Sequence, residues 1–365
     1  SMRLFFVMSG SYSNPNPGKV SVSSGNLTLE NLHIKNGYAL GGSGSGGGAG
    51  MGGAIFNQGV LTLLNSTFSD NTAQGGDGSS TAGLGGGGVG GNGVSDLGGG
   101  FFNTHFIGNE NTLTPDNSTI SIFGGNGGAA GSGGFGPTND NGINGGGPAD
   151  SASTHSSHGA FGAGGGRAAA NAASENGNGG AFGSGGGYGL TGGPGGFGGG
   201  GGQSITPGSD STAGFAGGKG TVTSGGGGAG LGGAIFNHTG ITYIQSSTFS
   251  GNSAIGGGGD FGGSAYGAAV FSANAAEITG RSGLTIIHST IFDNICINGS
   301  GTSTDGVCDS PVYILGITGA GVQDGGVNTK ATIANSIIAS PEAPGCIPPN
   351  CPTSLSNNKI GNNSG

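Results

Sequence analysis

Five stretches of this chain can be laid over one another, and that internal repeat limits the possible folds more than any other feature. Residues 26–42 read NLTLENLHIKNGYALGG, 59–76 read GVLTLLNSTFSDNTAQGG and 240–257 read GITYIQSSTFSGNSAIGG. Residues 283–299 read GLTIIHSTIFDNICING, and 329–340 read TKATIANSIIAS. Each unit opens with a strand of alternating apolar residues (Leu61 and Leu63; Ile241 and Tyr243; Leu284 and Ile286), passes through Asn or Ser to Thr-Phe or an equivalent, and closes on Asn. A second block, Gly-Gly-Ala-Ile-Phe-Asn, precedes two of the units at Gly52–Asn57 and Gly232–Asn237, with weaker versions at Gly98–Asn103 and Gly267–Phe271.

Self-similarity at this spacing marks a repeat architecture, in which each unit buries its apolar face only against its neighbours. The strands are rich in Thr, Ile and Val, which favour sheet, and nothing in them follows a 3.6-residue period. Alternation sends one row of side chains inward. Antiparallel hairpins are an alternative, but identical residues at identical phase favour parallel, in-register stacking. The expected fold is therefore all-β, a right-handed parallel β-helix with coils about 4.8 Å apart. The Asn that follows each short strand suits a corner with left-handed φ, and like amides stacked on one another can form a ladder along the axis. Phe56, Phe68, Phe236, Phe249, Phe271 and Phe292 are expected to pack in one narrow core.

Glycine fills the intervals. With 97 Gly and 13 Pro in 365 residues the composition approaches that of disordered chains, yet only 7 % of residues are charged and 32 % are hydrophobic. Disorder ordinarily pairs high charge with few apolar residues, so part of this chain folds. The glycine tracts fall between the exit of one coil and the Gly-Gly-Ala-Ile of the next, so all of them are expected to leave from one corner. The reading divides the chain into N-terminal coils (3–123), a glycine-rich insertion (124–230), C-terminal coils (231–340) and a disulfide-bearing tail or cap (341–365). Glycine runs in the insertion either stay flexible, as linkers do, or pack side by side in polyproline-II geometry, where only glycine permits the approach. Phe135, Phe161, Phe182, Tyr188, Phe197 and Phe215 punctuate it. They serve either as anchors that pack the insertion against itself or the coils, or as exposed adhesive contacts.

The alternation of GGAIFN with LTLLNSTFSDNTA resembles the repeat of chlamydial polymorphic outer-membrane proteins, which carry GGA[ILV] and FxxN motifs. The first motif matches at Gly52, Gly53, Ala54, Ile55 and at Gly232, Gly233, Ala234, Ile235. The second matches at Phe68–Asn71, Phe106–Asn109 and Phe249–Asn252, and Ile291–Asn294 comes near it. The resemblance covers about two thirds of the chain and implies a secreted or autotransported surface protein that serves adhesion or surface architecture. This chain departs from the pattern in its long glycine insertion and in carrying no translocator barrel.

The remaining features narrow the function. A net charge of −9, with 8 basic and 17 acidic residues, opposes nucleic-acid binding, which needs clustered Lys and Arg. No run of about 18 apolar residues encodes a transmembrane helix. The stretch Arg3–Met8 is too short for the core of a signal peptide and reads as a first strand or an end cap. Four cysteines, Cys296, Cys308, Cys346 and Cys351, lie in the last quarter. Of three possible pairings, Cys296–Cys308 with Cys346–Cys351 is favoured, and two disulfides fit an extracellular address. No metal or cofactor is expected: His155-x-x-His158 lacks a third ligand nearby. Catalytic carboxylates are thin, since Asp70 and Asp293 occupy coil corners and Glu277, Arg281 and Asp293 form the one charged trio that can be assembled. The chain is thus expected to be a non-catalytic structural or adhesive element outside a bacterial cell. Its expected partner is a host surface, a glycan or matrix ligand, or neighbouring copies of itself. A polysaccharide-active enzyme or glycan-binding module is the alternative, and an ice-binding solenoid, which would need a flat Thr array, is a third.

Overall fold

The computed structural model describes residues 3–7, 25–94, 98–100, 162, 164–167, 179, 182–238, 240–275, 283–301, 308–309, 311–318, 321–323 and 331–339. Within them the chain is all-β, with no helix. The strands group into five successive rungs. The first holds β1 (Phe5–Val7), β2 (Asn26–Glu30), β3 (His33–Lys35) and β4 (Tyr38–Leu40). The second holds β5 (Gly50–Met51), β6 (Ile55–Asn57), β7 (Val60–Leu64), β8 (Thr67–Ser69) and β9 (Thr72–Gln74). The third holds β10 (Gly230–Leu231), β11 (Ile235–His238), β12 (Ile241–Gln245), β13 (Thr248–Ser250) and β14 (Ser253–Ile255). The fourth holds β15 (Ala265–Tyr266), β16 (Val270–Ala275), β17 (Leu284–Ile287), β18 (Thr290–Phe292) and β19 (Ile295–Ile297). The fifth holds β20 (Cys308–Asp309), β21 (Val312–Thr318), β22 (Gly321–Gln323), β23 (Ala331–Ala334) and β24 (Ile337–Ile338).

Each strand pairs with its equivalents in the neighbouring rungs, which gives five sheets: I (β20-β15-β10-β5), II (β1-β6-β11-β16-β21-β22), III (β2-β7-β12-β17-β23), IV (β24-β18-β13-β8-β3) and V (β19-β14-β9-β4). The pairing is parallel and follows the register of the sequence repeat, as in Phe68↔Phe249 and Thr62↔Tyr243. The β21–β22 hairpin is antiparallel. Stacked parallel sheets of this kind are consistent with a parallel solenoid. Of the two readings of Arg3–Met8, strand or end cap, residues Phe5–Val7 take the strand: they form β1, set beside β6.

Alternation along the strands creates the core. Leu29, Ile34, Leu61, Leu63, Phe68, Ile244, Phe249, Leu284, Ile286 and Ile291 point inward together with Ile55, Ile235 and Val270. Strand β12 departs from the sequence reading. Thr242 and Ile244 are the buried pair, whereas Ile241 and Tyr243 face outward. The hydroxyl of Thr242 tolerates burial because it accepts a hydrogen bond from Asn57 Nδ2 at 3.0 Å, which removes the penalty of an unpaired polar atom.

The corners also differ in detail. Left-handed φ angles fall at Asn31, Asn65, Ser246, His288 and Asn335 between sheets III and IV, and at Asn36, Asp70, Gly251 and Asp293 between IV and V. The motif asparagines Asn71, Asn252 and Asn294 come one residue later and are buried. They form the expected ladder: Asn71 Nδ2 donates to Asn252 Oδ1 at 2.9 Å, and Asn252 Nδ2 donates to Asn294 Oδ1 at 2.8 Å. A second ladder links Asn57, Asn237 and Ser272. In a third, the amide of each serine in the series Ser66, Ser247, Ser289 donates to the hydroxyl of the next, ending at Ser336. The ladders satisfy buried backbone amides at the bends, where sheet pairing is interrupted.

The Cys296–Cys308 disulfide is present and ties β19 to β20. Cys346 and Cys351 lie outside the described residues, as do Phe106, Asn109, Phe135, Phe161, His155, His158, Glu277 and Arg281.

Candidate functional site

The molecule's most distinctive construction is where sheet II meets the glycine tracts. Every tract runs from a strand of sheet V to the next strand of sheet I: residues 41–49 join β4 to β5, 75–229 join β9 to β10, and 256–264 join β14 to β15. Their amides reveal the local conformation. Gly183, Gly186 and Gly189 donate to Phe197, Gly200 and Gln203, so every third residue returns to the same neighbour. Gly198, Gly201 and Ser204 repeat the pattern on Phe215, Gly218 and Thr221. The residues between point elsewhere: Gly185 donates to Gly87, and Gly200 to Gly47. Three residues per turn with hydrogen bonds radiating to several neighbours is polyproline-II geometry, here assembled into a bundle of glycine lanes. Of the two options open from the sequence, the described tracts take the packed one.

Close approach explains the composition. A Cβ on Gly47 would sit 1.9 Å from the carbonyl oxygen of Gly76, and one on Gly225 would sit 1.3 Å from that of Ser45. The bundle is also broader than the expected insertion. Lanes 41–48, 75–78, 85–88 and 256–263 are woven into it through bonds such as Gly46 to Gly186, Gly87 to Gly46 and Gly227 to Phe261.

The lanes dock through aromatic rings. Phe6, Phe56, Phe236, Phe271 and Tyr313 form a column on the outer face of sheet II, with centroids 4.9, 5.3, 5.1 and 5.4 Å apart. Phe182, Phe197, Phe215 and Tyr266 form a second column at 5.3, 5.2 and 5.3 Å. The columns meet edge-on, as in Phe182–Phe236 at 5.7 Å and Phe197–Phe271 at 6.3 Å, a geometry that aromatic quadrupoles favour. Rings spaced about one strand apart let glycine lanes and β-strands share one repeat distance.

One expectation is corrected here and one alternative is decided. The phenylalanines do not share one core: Phe68 and Phe249 stack inside the rungs at 4.8 Å, Phe56, Phe236 and Phe271 face the bundle, and Phe292 is exposed. Phe182 is buried, and Phe197 and Phe215 pack half-buried against the same cluster. These three are therefore anchors rather than exposed adhesive contacts, and Tyr188 is half-buried, its amide bonded to Leu84. The sequence carries a signal for this that motif reading passed over. The lanes open on FGAGGG (161–166), FGSGGG (182–187), FGGGGG (197–202) and FAGGKG (215–220), a second repeat with its own aromatic register.

Polar groups at this junction are fitted to burial. Arg3 donates from Nη2 to the Met51 carbonyl at 2.7 Å, and its guanidinium lies 5.3 Å from the Phe56 centroid. Desolvation lowers its pKa to about 10, so it stays charged at neutral pH. His238 lies 4.2 Å from the Phe182 ring, with Nδ1 3.0 Å from Gln58 Nε2. Burial pushes its pKa down to about 4, so it is neutral at pH 7.

The faces away from the bundle are regular and mostly uncharged. Sheet III presents Thr28, Thr62, Tyr243 and Thr285 in register, and Tyr243 donates its hydroxyl to Gln245 Oε1 at 2.9 Å. Sheet IV presents His33, Thr67, Thr248 and Thr290. Tyr243 interrupts the Thr row that a flat ice-binding array would need. Asp70 and Asp293 occupy left-handed corners with Gly251 between them. Among the described residues no three His, Cys, Asp or Glu side chains are grouped to hold a metal ion, and no helix is long and apolar enough to cross a membrane. The motif residues Gly52 and Gly232 turn the chain with φ of 61° and 67°, while Ala54, Ile55, Ala234 and Ile235 are buried. Gly53 and Gly233 sit where a Cβ would meet backbone at 2.3 and 2.0 Å.

Comparison with protein-family models, curated proteins and solved structures finds no match to this chain.

Proposed function

We propose that the chain is a right-handed parallel β-helix that works as a rigid structural or adhesive element outside a bacterial cell, without a catalytic role. Right-handedness follows from the strong preference of parallel crossover connections. One observation carries the functional reading. The glycine bundle occupies the outer face of sheet II, while sheet IV holds Thr67, Thr248 and Thr290 beside Ser69 and Ser250 outward at strand spacing, and sheet III holds Thr28, Thr62 and Thr285 in a column with Tyr243. Such rows form a stiff, hydroxyl-rich surface suited to repeated weak contacts with a glycan, a matrix polymer or a second copy. The Cys296–Cys308 bridge supports an oxidising, extracellular setting. Kinship with the chlamydial surface proteins is part of the same proposal and rests on the GGAI and FxxN motifs.

The test is to apply the full chain to a glycan and whole-cell binding panel, with reducing-end release measured on the same polysaccharides. Saturable binding without release supports the reading, and it should weaken when Thr62, Thr67, Thr248 and Thr285 are replaced by Lys. Turnover of any polysaccharide in the panel overturns it in favour of an enzyme.

A further inference from the structure

One outward column of sheet III changes character in its middle. Thr28, Thr62 and Thr285 stand in register with Tyr243, so the repeat places a hydroxyl on either side of a phenol. Tyr243 belongs to neither aromatic column of the bundle junction. Its hydroxyl donates to Gln245 Oε1 at 2.9 Å, two residues along the same strand. The ring is thereby tethered at both ends, at Cβ by the strand and at its oxygen by the amide. A half-buried ring held in this way loses little further freedom when a ligand lies against it.

The surroundings of the ring are apolar along the strands and polar across them. Ile241 pairs with Val60 on one side of the column. On the other side Gln245 lies between Leu64 and Ile287. All of these face outward and are half-buried. Thr62 and Thr285 flank Tyr243 at one strand spacing each, about 10 Å apart in all, a gap that spans one six-membered sugar ring. Charge is missing beside the ring: Glu30, two rungs from Gln245, is the one charged residue in the five strands of sheet III. An anionic polymer would find no Lys or Arg on this face to pair with, and a cationic one would find no carboxylate near Tyr243. Complementarity in charge and polarity therefore calls for a neutral ligand with an apolar face and a hydroxyl edge. A pyranose is built that way. Its axial C–H bonds present positive hydrogens to the negative face of an aromatic ring, while its equatorial hydroxyls reach outward to hydroxyl and amide partners.

We propose that Tyr243, with Thr62 and Thr285, forms a binding subsite for one pyranose of a neutral polysaccharide, the sugar stacking on the ring and bonding to the two hydroxyls. The inference deepens the adhesive reading of sheets III and IV and rests on it. Cellohexaose, maltohexaose and hexagalacturonate, titrated calorimetrically into the full chain, test it, with the sugar proton shifts followed by NMR. A neutral oligosaccharide should bind, and hexagalacturonate should bind about tenfold more weakly or less. Tyr243→Thr, which gives the column the residue of the neighbouring rungs, should weaken binding about tenfold or more and abolish the upfield ring-current shift of the sugar C–H protons. Tyr243→Phe keeps the ring and should retain that shift, with affinity reduced about threefold by loss of the tether. Unchanged affinity in Tyr243→Thr overturns the proposal but leaves the adhesive reading in place, because the sugar then sits elsewhere on the surface. Equal affinity for hexagalacturonate overturns it in the same way. Absence of binding by both neutral probes overturns it too, and attachment of the same chain to whole cells then shows that the adhesive reading has not failed with it.

Discussion

Replacing Gly228 by alanine isolates the physical basis of the glycine bundle. A Cβ at this position would lie 2.0 Å from the Gly48 carbonyl oxygen and 2.5 Å from its carbon. Ordinary contact begins near 3.4 Å, so the two lanes would have to separate by about 1.4 Å. Neither is free to shift. Gly228 donates to Gly76 at 2.9 Å and accepts from Gly257 at 2.8 Å, while Gly48 donates to Gly42 and accepts from Gly76, both at 2.8 Å. A displacement of that size breaks at least two of these bonds, each leaving buried groups unpaired at about 1–3 kcal/mol. Against this, alanine lowers the entropy of the unfolded chain and stabilises by about 0.4–1 kcal/mol. The expected net effect is destabilisation by about 3 kcal/mol. Gly208 provides the control: its φ is 80° and nothing lies within 4 Å of a Cβ there, so Gly208→Ala should cost only about 1 kcal/mol, from left-handed strain. Urea unfolding gives both values, and hydrogen exchange at Gly226–Gly228 locates the damage. Equal costs for the two variants would refute close lane packing as the reason for the glycine content.

Other consequences are equally specific. Asn252→Ala removes acceptor and donor from the middle of the amide ladder and should cost about 3 kcal/mol; Asn252→Asp should cost more, because it sets a carboxylate against Asn294 Oδ1, and chemical denaturation of both variants ranks them. His238 has a pKa of about 4 when folded against 6.5 ordinarily, so the unfolded chain binds more protons between those values. Its contribution is fully present above pH 6.5 and is lost as pH falls toward 4, to about 3 kcal/mol in total, and the loss should vanish in His238→Gln when Tm is followed against pH. Cys296 and Cys308 close a loop of sequence separation 12, so Cys296→Ser/Cys308→Ser should lower unfolding stability by about 2–3 kcal/mol.

Much of the strand framework was legible because identical phase in the repeats is itself a register. Phe68 pairs with Phe249 and Thr67 with Thr248 as their alignment implied. Misreadings arose where two requirements competed at one position. In Ile241-Thr242-Tyr243-Ile244 the apolar pattern favoured Ile241 and Tyr243 as the inward pair, but the Asn57 ladder recruits the Thr242 hydroxyl and turns the strand by one residue. At the sheet IV–V corner the left-handed residue is Asp70, Gly251 or Asp293, which frees the next Asn to point inward. The glycine bundle was harder to read, since lanes without side chains leave no hydrophobic period. The trace they do leave is one Phe per lane at Phe182, Phe197 and Phe215, and its meaning depends on sheet II offering Phe56, Phe236 and Phe271 at matching pitch.

The distance between Glu30 and Ala334 tests the stacked, in-register arrangement most directly. These positions are joined through Leu64, Gln245 and Ile287, one residue per rung. Four strand intervals place them about 19 Å apart, although some three hundred residues of chain lie between them. Spin labels on Glu30→Cys and Ala334→Cys should give a single narrow distance distribution near that value. A broad distribution, or one centred beyond about 30 Å, would contradict parallel stacking of the five rungs.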